Sequence, residues 1–521
     1  MRAGRFLSGI ALVCLVACSR HLDPVERATR EIRRADIQDY GERLSSDAMA
    51  GRRHASPEAD SVVSYLVGVL GNMGIEPRSS ARELFAGAPA CFEHYFDVTL
   101  SRLGRRTRLS AVCDGRAYHW RTGDGYLPLV FSSEGDVTGP PTRLDHAAQL
   151  WDGDGERWRG RVVRVGRDAI RRGADESVDA ALYHAASRLT ELGAAAVLFE
   201  GIDAWERQPC TTYPAHLSRA VLEHLATPRA RQQHWNRERY ATLQQSRVWQ
   251  VAARRTIPAV VLAPDVARVT AECTEVRVRV AFDHEVSLGR NVLVVFPGSQ
   301  RPNRPILLTA HYDQAGITDR GDIIVGAHDN ASGVAALLAT ASALFRVRAE
   351  LEHDVVLAFV GAELLGGLGT ETLRRDWPRL LATGPPQVCF GVEAVGLRGP
   401  DLTQIVGAVE DGGALRWFES VNARATLDAA ALVLEPKAFR PPAAGLEFAP
   451  GPHVYSLAHW SAAGVPSWTL YDDVDADPRQ DAGWGAVDPG KVARVARLLF
   501  RTTYAVSTRG TATAVPAALR P

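Results

Sequence analysis

The 521-residue sequence is almost without lysine, since Lys437 and Lys491 are the only two. Arginine therefore supplies nearly all the basic residues, and the 60 basic residues are balanced by 60 acidic ones, for a formal net charge of zero. A chain without excess positive charge has no bulk attraction to nucleic acid, so we do not expect a nucleic acid partner. The 46% hydrophobic and 23% charged residues are typical of a soluble globular protein with more than one domain.

The first apolar run, FLSGIALVCLVAC, is too short to span a bilayer as a helix of the mature protein. It follows two arginines and ends in LVAC, which resembles the bacterial lipoprotein signal, in which small residues precede a lipidated cysteine. We therefore expect residues 1–17 to be a signal peptide, Cys18 to carry the lipid, and residues 18–35 to form a linker. Ser19 after this cysteine favours the outer membrane of the cell envelope. An ordinary secretory signal or a membrane anchor is the alternative.

Cysteine is also scarce, and no pair has the CxxC spacing of thiolate zinc sites. Five cysteines lie in the mature part of the chain: Cys91, Cys113, Cys210, Cys273 and Cys389. An exported protein can form disulfides, and an odd number leaves at least one thiol free. Cys91 and Cys113 flank two predicted strands around Leu103-Gly104, so these two could face each other. Cys389 lies within an apolar strand and is expected to be buried.

The hydrophobic pattern divides the mature chain into three parts, with no internal repeat. Residues 36–124 are predicted to begin the main domain, with a helix from Ser56-Pro57 and β-hairpin material from 90 to 120. Residues 125–285 contain short strands around the helix SVDAALYHAASRLTELG, which predicts a smaller inserted α+β unit. Residues 286–510 alternate apolar strands with helices, and residues 511–521 form a tail.

Strands as continuously apolar as those after Asn291 predict a mostly parallel mixed sheet flanked by helices on both faces, an α/β fold. Ligand sites in such sheets lie beyond the carboxyl ends of the strands. His311, Glu363 and Glu393 each follow such a strand. Asp313 comes two residues after His311, and Asp329 precedes a helix in GAHDNASG. One imidazole and several carboxylates at strand ends form a ligand set for zinc.

At these motifs the sequence resembles the zinc exopeptidases of the family that includes bacterial leucyl-type aminopeptidases, glutamate carboxypeptidase II and glutaminyl cyclase. LLTAHYDQAG and GAHDNASGVAALL carry the resemblance, and LSSDAMAGR is similar to the amino-terminal signature of the family. The resemblance covers most of the mature chain. Residues 125–285 resemble the protease-associated domain that many members insert before the metal-binding strands.

The resemblance implies a role for each residue of the cluster. His311, Asp329 and Glu393 would bind zinc, with Asp313 behind His311 and a cis peptide bond after Asp329. Glu363 would be the general base that takes a proton from water.

Two positions depart from the family pattern. Leu364 stands where the family has a second glutamate, and the spacing to Gly464 places Leu457 at the last histidine ligand. Both missing ligands would serve the same ion of a pair, so the remaining set predicts a centre with one zinc ion. Three histidines could replace a lost ligand: His328, His453 and His459.

The sequence therefore predicts a lipid-anchored, zinc-dependent exopeptidase of the aminopeptidase type that hydrolyses peptide amides outside the cytoplasm. The alternative is a non-catalytic relative that uses the same fold as a binding or scaffold surface. A cyclase of amino-terminal glutamine is disfavoured, because that branch keeps the ligands lost here. The expected partners are a peptide substrate and, through the lipid anchor, a membrane.

Overall fold

The structure is a computed structural model, and it describes residues 23–54, 56–78, 88–120, 122, 125–129, 132–151, 155–170, 178–201, 256–300, 304–314, 316–317, 323–365, 367–381, 383–399, 402–407, 412–422, 432–438, 455–472 and 483–509. The proposed signal peptide, Cys18, Cys210 and His453 lie outside these residues.

The described helices are α1 (Pro24–Thr29), α2 (Arg34–Leu44), α3 (Pro57–Asn72), α4 (Ala147–Trp151), α5 (Val178–Glu191), α6 (Pro264–Thr270), α7 (Ser332–Val347), α8 (Leu368–Leu380), α9 (Gly412–Asn422), α10 (Tyr455–Ala462) and α11 (Pro489–Arg509). The strands are β1 (Glu76–Pro77), β2 (Ala90–Leu103), β3 (Arg108–Cys113), β4 (Arg116–Trp120), β5 (Tyr126–Pro128), β6 (Gly135–Gly139), β7 (Pro141–Leu144), β8 (Val162–Gly166), β9 (Ala196–Glu200), β10 (Ala259–Leu262), β11 (Glu275–Val280), β12 (Phe282–Phe296), β13 (Ile306–His311), β14 (Gly316–Ile317), β15 (Ile323–Ile324), β16 (Val355–Val360), β17 (Val388–Glu393), β18 (Leu402–Gly407), β19 (Val433–Ala438) and β20 (Ser467–Tyr471).

A nine-stranded mixed sheet forms the main domain, in the order β1-β2-β12-β16-β13-β17-β20-β18-β19. Its centre, from β16 through β13 and β17 to β20, is parallel throughout. Antiparallel pairs join β12 to β2 and β16, and β18 to β20. This arrangement confirms the predicted α/β fold with a mostly parallel mixed sheet.

Both faces of this sheet are covered, which explains why its central strands are mostly apolar. On β12, for example, Val292 and Val294 pack into the core formed with α2, α3, α7 and α11, whereas Leu293 packs into the core on the other face. Trp377 of α8 and Trp460 of α10 close that second face and contact each other edge to face. The apolar helix of residues 327–350 is long enough to cross a membrane by composition, but it is mostly buried within this fold.

A second unit has its own core and two sheets. One sheet has the order β5-β10-β9-β8-β7, and the other, β4-β3-β11-β6, is antiparallel. Their shared core runs from Leu109 to Phe282, with α5 packed in it. The predicted boundary at residue 125 therefore falls inside this unit, because β3 and β4 already belong to it.

The chain enters and leaves this second unit through one two-stranded ribbon. Strands β2 and β12 are antiparallel over their whole length, with Ala90 opposite Val295 and Leu103 opposite Phe282. The expected pairing of strands around Leu103-Gly104 is wrong, because β2 pairs with β12 and β3 pairs with β4. The turn between β3 and β4 is Asp114-Gly115, and both residues have positive φ, as the tight turns of β-hairpins require.

The cysteine prediction is corrected in one respect. Cys113 forms a disulfide with Cys273, and Cys91 is free and buried. Cys91 faces the main core from β2, whereas Cys113 lies in the core of the second unit. Cys389 is free and buried on β17, as expected.

Candidate functional site

The three central parallel strands bring the predicted site residues to one edge of the main sheet. Strand β13 ends at His311, β17 ends at Glu393, and Glu363 follows the end of β16 by three residues. Because β13 lies between β16 and β17 and all three are parallel, their carboxyl ends converge. All three side chains are buried.

His311 is held between two acidic residues. Its Nε2 lies 3.0 Å from Oδ1 of Asp329, and its Nδ1 lies 3.1 Å from the carbonyl oxygen of Asp313 and 3.7 Å from Oδ1 of that residue. Burial acts to lower the pKa of His311, but the contacts with Asp313 and Asp329 and the charge of Glu393 raise it well above its ordinary value. These groups therefore create a potential that favours a positive charge beside His311.

The segment before α7 places Asp329 opposite His311. The Asp329–Asn330 peptide bond is cis, as the resemblance implies. The side chain of Asn330 is fully used: Nδ2 donates to the carbonyls of His311 and Val392, and Oδ1 accepts from the N–H of Gly333 and Ala394. Asn330 thus joins the ends of β13 and β17 to the start of α7.

Glu393 is a buried acidic side chain at the end of β17. It is 1% exposed, and neither carboxylate oxygen has a hydrogen-bond partner among the residues that the structure describes. Burial raises the pKa of Glu393 well above its ordinary value. His311 opposes this shift, and the nearby Glu363 and Asp329 add to it. A buried carboxyl group without donors requires a proton or a cation beside it.

Asp313 connects the histidine to the segment that carries Glu363. Its Oδ1 accepts from the N–H of Glu363 at 3.1 Å, and its Oδ2 accepts from the N–H of Leu364 at 3.3 Å. One carboxylate therefore lies against His311 and also fixes the backbone of the proposed base. The sequence indicated the contact of Asp313 with His311 but not its bonds to the backbone of Glu363 and Leu364.

A buried arginine ties the amino-terminal part of the chain to the site. Arg52, at the end of the DAMAGR turn, donates through Nε to the carbonyl of Tyr312 and through its two terminal nitrogens to those of Leu44, Val325 and Gly326. Tyr312 follows His311, and Gly326 stands three residues before Asp329. The LSSDAMAGR motif thus contributes to the position of both residues, a role that the sequence alone did not indicate.

The turn after Glu393 rests on a buried ion pair. Nζ of Lys491 lies 2.8 Å from Oδ2 of Asp472, and both side chains are almost fully buried. The same Asp472 oxygen accepts from the N–H groups of Gly396 and Leu397. This pair was not identified from the sequence, although Lys491 is one of only two lysines.

Leu364 is buried directly after Glu363, where it offers no ligand atom. Leu457, the second position of the predicted departure, packs with Ala394, Val406 and Tyr471 in a cluster that does not include Leu364. His328 is buried beside Asp329, and burial lowers its pKa; His459 lies half-buried on α10.

The donor set can be tested against a metal ion. Among the described residues, no three His, Cys, Asp or Glu side chains stand close enough together to form a complete metal site. His311 and Asp329 are bonded to each other, and Glu393 lies nearby with both oxygens unpartnered. One imidazole and two carboxylates, one of them without any donor, fit zinc in chemical type and number. The donor chemistry of His311, Asp329 and Glu393 therefore suits one ion, and their present spacing is not that of a complete site.

Comparisons with known proteins match part of the chain to a family and its fold to solved structures. Residues 291–434 match the profile of peptidase family M28. The fold is similar to that of an aminopeptidase from Aneurinibacillus sp. strain AM-1, with a TM-score of 0.55 and 14% identity over 94% of this chain and 98% of that one. It is also similar to BSAP, a zinc aminopeptidase from Bacillus subtilis, with a TM-score of 0.50 and 13% identity over 93% and 98% of the two chains. None of the curated proteins matches the chain.

Proposed function

Because residues 291–434 match the profile of peptidase family M28, we propose that the chain is a zinc-dependent exopeptidase of the aminopeptidase type that hydrolyses peptide amides. The observation that carries this proposal is the state of Glu393, a buried carboxyl group with two unpartnered oxygens beside His311 and Asp329. A cation held by these three residues would satisfy all of them at once.

Glu363 is the proposed general base. Its Oε1 accepts from the N–H of Thr370, whereas its buried Oε2 has no hydrogen-bond partner in the described part of the chain. Burial raises the pKa of Glu363 to about 7, Asp313 adds to the shift and Thr370 opposes it. A carboxyl group with such a pKa can accept a proton from the attacking water and return it to the leaving amine. A bound zinc ion would supply Lewis acidity towards the amide carbonyl and towards water.

The proposed centre holds one ion. Leu364 places an apolar side chain after the base and offers no ligand there, so the proposed set is His311, Asp329 and Glu393. Three protein ligands are sufficient for a catalytic zinc.

The second candidate function is that of a non-catalytic binding or scaffold protein with the same fold. It is favoured by Leu364 and by the bond between His311 and Asp329, which leaves the site incomplete among the described residues. In that case the proton on His311 would take the place of the cation.

Zinc content and hydrolysis together test the proposal. The mature chain should contain one zinc per chain by elemental mass spectrometry and should hydrolyse members of a panel of aminoacyl-arylamides. His311→Ala and Glu393→Gln should lose both, whereas His119→Ala, which removes an exposed histidine on β4, should lose neither. A wild type that takes up no zinc and hydrolyses nothing would favour the binding protein, and two zincs would mean that further ligands exist.

The proposed location is the cell envelope, with Cys18 lipidated and the folded part outside the cytoplasm. The disulfide between Cys113 and Cys273 supports an oxidising compartment. The second unit, which resembles a protease-associated domain, supplies none of the proposed ligands.

A further inference from the structure

The segment that carries Glu363 forms a loop with a very narrow neck. This base loop begins at Gly361, after β16, and ends at Gly369, in the first turn of α8. A Cβ atom on Gly369 would lie 2.0 Å from the carbonyl oxygen of Gly361, so only glycine permits this approach. The position of Glu363 therefore depends on how firmly the two glycines are held together.

Asn291 of β12 binds both sides of the neck. Its Oδ1 accepts from the N–H of Gly361 at 3.0 Å, and its Nδ2 donates to the carbonyl of Gly369 at 2.9 Å. These partners determine the orientation of the Asn291 amide. Its oxygen must face the N–H of Gly361, and its nitrogen must face the carbonyl of Gly369. Asn291 is fully buried, so water does not compete for either bond.

His94 of β2 accepts the second hydrogen bond that the side-chain amide of Asn291 donates. Its Nδ1 lies 3.2 Å from Nδ2 of Asn291, and its Nε2 lies 3.2 Å from Oδ2 of Asp376 on α8. Since the amide nitrogen donates, Nδ1 must accept, and the ring proton lies on Nε2 and points to the carboxylate. Burial lowers the pKa of His94, although Asp376 opposes this, so the neutral ring is favoured.

We propose that Asn291 and His94 are positioning residues for the base: together they clamp the neck of the base loop and so hold Glu363 in place. The chain of bonds from Asp376 through His94 and Asn291 to the two glycines joins β2, β12, β16 and α8. The role in hydrolysis rests on the proposed function, but the clamp itself does not. None of these side chains is a proposed zinc ligand.

Two conservative variants at one position separate a clamp from a merely structural histidine. His94→Asn keeps an acceptor in the place of Nδ1 and can still bind Asn291. His94→Gln places its amide near the position of Nε2, can still meet Asp376, and leaves Nδ2 of Asn291 without its acceptor. Asn291→Ala removes the clamp, and His119→Asn and His119→Gln on the exposed face of β4 are matched controls.

Kinetic measurements give the first result. We expect kcat on an aminoacyl-arylamide to fall about 10- to 100-fold in Asn291→Ala and His94→Gln, with KM nearly unchanged and zinc content equal to that of the wild type. His94→Asn should stay within about threefold of the wild type, as should both controls. Equal losses in the two His94 variants, or an unchanged kcat in Asn291→Ala, would overturn the proposal.

Hydrogen exchange of the mature chain, followed by mass spectrometry, tests the clamp without activity. Peptides that cover residues 361–370 should exchange about tenfold faster in Asn291→Ala and His94→Gln than in the wild type and His94→Asn. Exchange of peptides that cover β13 should be unchanged in all variants. If Asn291→Ala loses protection there as well, that variant is misfolded, and the comparison of His94→Gln with His94→Asn tests the clamp instead. Should the wild type hydrolyse nothing, the proposed function fails, and this exchange pattern alone supports or overturns the clamp.

Discussion

Glu363 accepts a hydrogen bond at 2.8 Å from the backbone N–H of Thr370, seven residues later in the chain. Thr370 lies in the first turn of α8, where N–H groups have no partner within the helix and attract negative charge. Its hydroxyl is bonded to that of Ser456 on α10. One oxygen of Glu363 is thus held, and the other remains able to receive a proton.

The first prediction concerns the proposed base. Glu363→Gln keeps the shape of the side chain and removes its basicity, so hydrolysis should fall by about 10²-fold or more while zinc stays bound. Steady-state rates and elemental analysis of the same preparations provide the check. Equal rates in the two proteins would remove Glu363 from the mechanism.

Glu363 should also make the stability of the metal-free protein depend on pH. Its pKa is about 7 in the folded chain against 4.5 for the free group, so its contribution to stability is fully present below pH 4.5 and is lost as the pH rises through 7. Glu363→Gln should therefore be more stable than the wild type at pH 8, by up to about 3 kcal/mol, with little of this gain left at pH 4.5. Urea unfolding in chelator at both pH values measures the difference, and a gain that does not vary with pH would contradict the assignment.

Leu364 gives a test of the single-ion centre. Leu364→Glu places a carboxylate in a buried position, so it should lower the free energy of unfolding by about 2–4 kcal/mol or take up a proton. Leu364→Met, the matched control, should cost less than about 1.5 kcal/mol. Unfolding curves with and without zinc are compared. Full stability of Leu364→Glu together with a second bound zinc would show that the other ligands of a two-ion centre are present.

The buried pair behind Glu393 should be important for stability. Lys491→Met leaves Asp472 charged and buried, and we expect a loss of about 3–5 kcal/mol in the free energy of unfolding. Replacing both residues, as Lys491→Met with Asp472→Asn, should cost less, because no uncompensated charge remains. Denaturant unfolding of the two variants is the measurement. A single variant as stable as the double one would mean that Asp472 does not need this cation.

The proposed membrane attachment depends on one residue, Cys18. Cys18→Ala should leave the protein without a lipid and move it from the membrane to the soluble fraction of the cell. Fractionation of cells followed by immunoblotting distinguishes the two locations. An unchanged membrane fraction would count against the lipid anchor.

The main sheet could be predicted from the sequence because burial on both faces leaves a clear mark on it. The strands that end at His311 and Glu393 are apolar before these residues except at Thr309, which indicates both the sheet type and the place of the site. Helix α3 was equally clear, since Ser56 and Pro57 mark its start and an apolar stripe continues from there.

The partners of polar groups could not be predicted in the same way. Arg52 and Tyr312 are bonded across 260 residues, and nothing in the local pattern of either position contains that information. The disulfide partner of Cys113 is Cys273, 160 residues away, rather than Cys91. The hairpin turn at Asp114-Gly115 did carry a local signal, because Asp-Gly between short strands is typical of such turns.

The ribbon of β2 and β12 has a consequence for how the chain folds. Pairing Leu103 with Phe282 closes a loop of nearly two hundred residues, and the entropy lost on closure grows only with the logarithm of that length. If the second unit folds first, its own core and the bond between Cys113 and Cys273 bring the ends of β2 and β12 together. The loop that remains to be closed in the rest of the chain is then short. We therefore expect this unit to fold first and the pairing of β2 with β12 to proceed from it towards the main sheet.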